Sequence, residues 1–175
     1  MSKSRISGIE LIKNNSKKDE RGYLTRLYDT TQDQFFVWNS SYNSISVLNK
    51  QTHTLRGMHY QVNEFAETKI AFCLTGKIFD AVIDLRITSE TYLQSYYGFF
   101  GPEEEFIGLK IPAGCAHGYL TLLDDTLMIY LIDKLHSPEN ERGISWDDPK
   151  FDIPWPDTPH IISIRDKSYP RFEQE

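Results

Sequence analysis

The chain has 175 residues, 39% hydrophobic and 25% charged, enough for one domain over residues 1–175 that buries its own core without disulfides or a structural metal. A net charge of −6 with scattered Lys and Arg excludes a dedicated nucleic-acid binder. No uncharged apolar run approaches the ~18 residues of a membrane span, and the first 22 residues lack a secretory leader, so a cytoplasmic protein with Cys73 and Cys115 reduced is expected.

Aromatic residues, 13% of the chain, favour strands. Residues 31–37 fit one or two helical turns. Residues 70–75 (IAFCLT) and 78–85 (IFDAVIDL), joined at Gly76-Lys77, predict a β-hairpin. Segments 92–100, 105–111, 118–123 and 126–132 continue the strand pattern, with Asp124-Asp125 as a tight turn between the last two. Short strands at this spacing predict an all-β fold, an antiparallel sandwich or barrel. From residue 137 the chain is too rich in Pro, Asp and Gly for regular structure, and its Pro-flanked aromatics suggest a tail wrapping over the barrel.

Four segments carry candidate chemistry. In LRGMHYQ (55–61), Arg56 and His59 could place a cation and a base near one ligand, with Gly57 allowing close backbone approach. Taken alone, this segment is better read as a surface Arg and a hydrogen-bonded core His. In PAGCAHG (112–118) a Pro-Gly turn leads to His117, resembling the second motif of cupin barrels, where that His faces the interior. Tyr130 lies on an otherwise apolar strand, where a Tyr is usually core. Asp166, between Arg165 and Lys167, reads on composition as a surface charge.

In chain order, however, the motifs DERG (19–22), LRGMHYQ, TK (68–69), G-x-x-F-D-x-x-x-D-L-R (76–86), S-x-T-Y (89–92), IPAGCAHGY (111–119), Tyr130, SPENE (137–141), W-x-D-P (146–149), I-P-W-P (153–156) and S-x-R-D (163–166) resemble the dTDP-4-dehydrorhamnose 3,5-epimerase family. The resemblance spans nearly the whole chain. It implies a cupin-like antiparallel β-barrel, or jelly roll, with short peripheral helices, usually dimeric, using no metal and no cofactor. The implied reaction inverts C3, C5 or both of a nucleotide-diphosphate 4-keto-6-deoxyhexose. The C4 ketone acidifies both neighbouring carbons, so a base, an enolate-stabilising group and an acid on the opposite face are required. By resemblance these are His59 as base, Asp166 orienting its imidazole, Lys69 near the C4 oxygen and Tyr130 as acid. His117 falls in the same pocket, and Arg21, Arg26, Arg56, Gln61, Glu141 and Arg165 complete the substrate-binding set.

The chain departs from the family on the nucleotide side. Arg26 stands where a carboxylate is usual, Ser44–Leu48 replaces a Gln-x-Asn-x-Ser signature, and Leu135-His136 replaces paired tyrosines. The reaction type is therefore better specified than the nucleotide, and CDP-linked sugars stand beside dTDP-linked ones. The alternatives are a metal-dependent cupin isomerase or oxygenase, a sugar-nucleotide 3,4-ketoisomerase, and a nucleotide-sugar binder without turnover. The first is disfavoured because Gln61 occupies the place of the second His of an H-x-H ligand pair.

Overall fold

A computed structural model describes residues 6–27 and 43–173. The helical turn expected at 31–37 lies outside the described residues. In chain order the strands are β1 (Glu10–Lys13), β2 (Lys17–Asp19), β3 (Gly22–Leu24), β4 (Asn43–Asn49), β5 (Thr54–Gln61), β6 (Lys69–Thr75) and β7 (Ile78–Asp84). They continue with β8 (Ser95–Phe100), β9 (Phe106–Ile111), β10 (Cys115–Thr121), β11 (Thr126–Ile132), β12 (Glu141–Gly143) and β13 (Ile161–Ile162), before a single-turn helix α1 (Ile164–Ser168). A 3-10 turn at Asn63–Phe65 follows β5. No helix among the described residues is long and apolar enough to cross a membrane.

Two sheets form the body. One runs β1-β9-β6-β11-β4, and the other runs β12-β5-β10-β7-β8 with β13 added in parallel beside β5. All other pairings are antiparallel, as a jelly-roll architecture requires. β6 to β11 fall on the six expected strand segments, but their pairing differs from the expectation. β6 and β7 do not form a hairpin: β6 lies between β9 and β11, while β7 lies between β10 and β8 in the other sheet. The Asp124-Asp125 turn likewise carries the chain from β10 in one sheet to β11 in the other. Turn chemistry reports that the chain reverses, not which sheet it joins. Both faces of β7 are covered, so all seven of its residues are buried, which a two-stranded ribbon could not achieve.

The core between the sheets includes Ala71, Cys73, Ile78, Val82, Phe100, Leu109 and Met128. A second cluster, on the outer face of the six-stranded sheet, joins Met58, Ala81, Ile83 and Ala116 to Ile144 and Phe151. Ile153, Trp155 and Phe172 pack against it, so the tail does wrap over the sheet. It is more regular than its composition suggested, since β12, β13 and α1 are all formed there.

Candidate active site

The strand register decides which polar side chains meet. His59 on β5 and His117 on β10 are direct cross-strand partners, so both project from the same face. Arg56 is three residues from His59, and in a regular strand it would point the other way. The β5–β10 register shifts between these positions, pairing Arg56 with Tyr119 and bringing both Arg56 and His59 to one cavity. Gly57 makes this possible: its φ is +113°, and a Cβ there would lie 2.5 Å from Gly118 Cα. Across the gap, the five-stranded sheet contributes Lys69 from β6, Tyr130 and Ile132 from β11, and Ile45 and Val47 from β4. Together with Tyr119 these residues line a cavity of about 240 Å³. A smaller recess of about 150 Å³ shares His59 and Lys69 and extends to Gln61, Glu67, His136 and Glu141.

Two His–carboxylate pairs stand in the cavity wall. His59 Nε2 lies 2.8 Å from Asp166 Oδ1, while Asp166 Oδ2 accepts from the Gly57 N–H at 3.2 Å. A carboxylate only accepts, which assigns the ring proton to Nε2 and leaves Nδ1 as the basic nitrogen. Asp166 is carried by α1, whose N-cap Ser163 accepts from the Asp166 N–H. That cap is the local reason for the S-x-R-D spacing. Asp166 is 5% exposed, so it is not the surface charge its composition suggested. Burial pushes its carboxyl upward, but the bonds from His59, Gly57 and the Ser163-capped turn outweigh it and hold it below the ordinary range.

The second pair joins His117 Nε2 to Asp80 Oδ2 at 2.7 Å, with both residues buried. Burial raises the Asp80 carboxyl, opposed by His117. Asp80 was not singled out as a site residue, although a carboxylate in the apolar run IFDAVID is itself the signal of a partnered buried group. Tyr130 is pushed well above 10, first by burial and then by Tyr119 and Asp80 beside it, so it stands as a neutral O–H donor. Lys69 Nζ sits 2.7 Å from Glu67 Oε1.

The remaining expected residues divide. Arg56 lines the cavity, donating from Nε to Asn49 Oδ1 at 2.8 Å. Glu141 lines the smaller recess and is paired at 2.7 Å with Arg165, which is not among the residues lining either recess, while Tyr169 meets the His59 ring edge-on at 5.5 Å. Gln61 faces the smaller recess, but its amide is taken up by protein: it donates to Glu67, Phe65 and Leu135 and accepts from the Ser137 N–H. Here it ties three segments together rather than presenting a free amide. Arg21 is not brought to the His59 cavity. It sits on the exposed β2–β3 hairpin, ion-paired to Asp19, beside a separate cavity. Arg26, just past β3, is not among the residues lining either His59 recess. A hairpin's own register says nothing about where it docks, so sequence reasoning could not place these two. Among the described residues, no group of three His, Cys, Asp or Glu side chains is disposed to hold a metal ion.

A base from one sheet, with its orienting carboxylate on α1, facing a neutral tyrosine from the other sheet, can remove a proton from one side of a bound molecule and return one from the opposite side. The chain is similar to known proteins over most of its length. A dTDP-4-dehydrorhamnose 3,5-epimerase of Sinorhizobium fredii is 34% identical over 170 residues, 94% of this chain and 85% of its own. That of Methanothermobacter thermautotrophicus is also 34% identical, over 88% of this chain and 82% of its own. The crystal structure of the Bacillus anthracis enzyme superposes with a TM-score of 0.80 at 28% identity, covering 94% of this chain and 99% of that one. With the sequence profile of the dTDP-4-dehydrorhamnose 3,5-epimerases matching residues 3–174, the chain belongs to that family.

Proposed function

We propose that the protein inverts C3, C5 or both of a nucleotide-diphosphate 4-keto-6-deoxyhexose, dTDP- or CDP-linked, in deoxysugar synthesis for a surface polysaccharide. His59 Nδ1 takes the proton next to the C4 ketone, and Asp166 stabilises the imidazolium that results. Lys69 and His117 stabilise the enolate oxygen. Tyr130 returns a proton to the opposite face. Arg56, Glu141 and Arg165 hold the rest of the substrate, whereas Arg21 and Arg26 make no contact with the sugar in this scheme. The observation that carries the reading is the placement of His59, bonded to Asp166, and of Tyr130 on opposite sheets around one cavity. The Bacillus anthracis relative was crystallised with TDP and PPi, which supports a nucleotide-diphosphate substrate here. The protein acts as a cytoplasmic homodimer of single-domain chains: β4 ends its sheet among the described residues and exposes Ile45 and Leu48, an edge suited to cover by a second copy.

Incubation with dTDP- and CDP-4-keto-6-deoxyglucose in deuterated water, with EDTA present and followed by NMR, tests the reading. Deuterium is expected at C3, with or without C5. Its absence at both carbons with both nucleotides would overturn the proposal, and activity lost to EDTA and restored by a divalent ion would replace it with a metal-dependent mechanism.

A further inference from the structure

Two His–carboxylate pairs share one cavity, but they are built differently. Asp166 meets two donors, His59 Nε2 and the Gly57 N–H, and is held below the ordinary carboxylate range. Asp80 lies on β7 opposite Tyr119 and diagonal to His117, whose direct partner is Val82. Ile78 and Val82, two residues to either side, belong to the core between the sheets, so strand alternation turns Asp80 into that apolar layer. Its side chain is fully buried, and Oδ2 meets His117 Nε2 at 2.7 Å. Oδ1 has no hydrogen-bond partner among the described residues. The cavity's cations are engaged elsewhere, Lys69 with Glu67 and Arg56 with Asn49. A carboxylate bonded here only by a neutral imidazole would leave a net charge in an apolar layer, which is strongly unfavourable. A second proton on the pair removes that charge. Burial accordingly pushes the Asp80 carboxyl upward, against the pull of His117.

We propose that the Asp80–His117 pair carries two protons, one donated by the Asp80 carboxyl to His117 Nε2 and one on Nδ1, so that His117 is a hydrogen-bond donor to the C4 oxygen and not a second base. This deepens the epimerase reading above and rests on it. Nε2 is taken by Asp80, so Nδ1 is the nitrogen left to meet a bound molecule in the cavity that His117 lines. With its proton already in place, Nδ1 donates to the enolate oxygen as negative charge gathers there, and keeps the proton throughout. His59 is the mirror case: its ring proton sits on Nε2 toward the charged Asp166, and Nδ1 is open to accept. The surroundings of the two carboxyls, not the residue types, divide base from donor. Asp80 is thus a positioning residue that fixes the tautomer of His117.

Asp80→Leu keeps the volume but offers Nε2 no donor, and deuterium exchange and inversion should fall together by about 10- to 100-fold, the worth of one hydrogen bond to the developing charge. Asp80→Asn should recover most of this, to within about 10-fold of wild type, because its NH₂ donates to Nε2 as the acid does. The same change at a charged, base-orienting carboxylate costs ~10²–10⁴-fold. In wild-type protein labelled with ¹⁵N-histidine, the His117 signals, assigned by their loss in His117→Gln, should show a protonated Nδ1 and an unprotonated Nε2 at neutral pH. A protonated Nε2, or an Asp80→Asn loss as deep as that of Asp166→Asn, would overturn the inference while leaving the epimerase reading intact. A wild-type protein that neither exchanges nor inverts would overturn both.

Discussion

Replacing Asp166 with Asn isolates the orienting carboxylate, because size and shape hardly change. At neutral pH the native group is charged and takes two bonds, from His59 Nε2 at 2.8 Å and the Gly57 N–H at 3.2 Å. A hydrogen bond to a charged group of this kind contributes ~1.5–3 kcal/mol to the charged form, and the variant loses this. The new amide also has a settled orientation. Its oxygen must face the Gly57 N–H, so its NH₂ faces His59 Nε2. That forces the ring proton onto Nδ1, the nitrogen that has to accept the substrate proton. In a Ser-His-Asp triad the same change of tautomer costs ~10⁴-fold. The expected loss of kcat for Asp166→Asn is therefore ~10²–10⁴-fold, with deuterium exchange and inversion falling together and nucleotide affinity unchanged. NMR in deuterated water with single-turnover sampling reads both rates. Exchange at the wild-type rate, or inversion lost while exchange continues, would refute the assignment of Asp166 to the base.

Further outcomes follow. His59→Ala should abolish exchange and inversion together, whereas Tyr130→Phe should spare exchange relative to inversion; normal inversion in Tyr130→Phe would remove it as the acid. Gly57→Ala places a methyl 2.5 Å from Gly118 Cα at a φ of +113° and should cost about 2–4 kcal/mol in denaturant unfolding, so wild-type stability would refute the close-approach argument. For Asp84, burial opposes ionisation but the bonds from Arg86, Ser89 and Thr91 prevail, and its carboxyl, like that of Asp166, is held below the ordinary range. Stability from such depressed groups is present above their unfolded value of ~4 and is lost as pH falls through the folded values, so unfolding midpoints should drop in acid and Asp84→Asn should flatten the drop; an acid-insensitive wild-type midpoint would contradict this. Sedimentation equilibrium at micromolar concentration should give twice the 20.4 kDa chain mass, and a monomer would refute the homodimer.

Local pattern was enough to locate β6 to β11, because apolar runs bounded by Gly, Pro and Asp report burial and chain reversal within a few residues. The ordered motifs were enough to nominate His59, Lys69, His117, Tyr130 and Asp166. Partnership was another matter. Whether Gly76-Lys77 closes a hairpin or bridges two sheets depends on the packing of β9, β10 and β11, which are distant in sequence. Asp166 looks solvated among Arg165 and Lys167, and only the docking of α1 beside β5 buries it against a histidine 107 residues away. Asp80, Glu67, Asn49 and Tyr119 became part of the site for the same reason. Gln61 is held by protein bonds, and Arg21 sits on a hairpin outside the His59 cavity. Residue type sets what a side chain can do within its own strand or turn, but a proton path needs donors and acceptors within about 3 Å, and only the stacking of two sheets brings such distant residues that close.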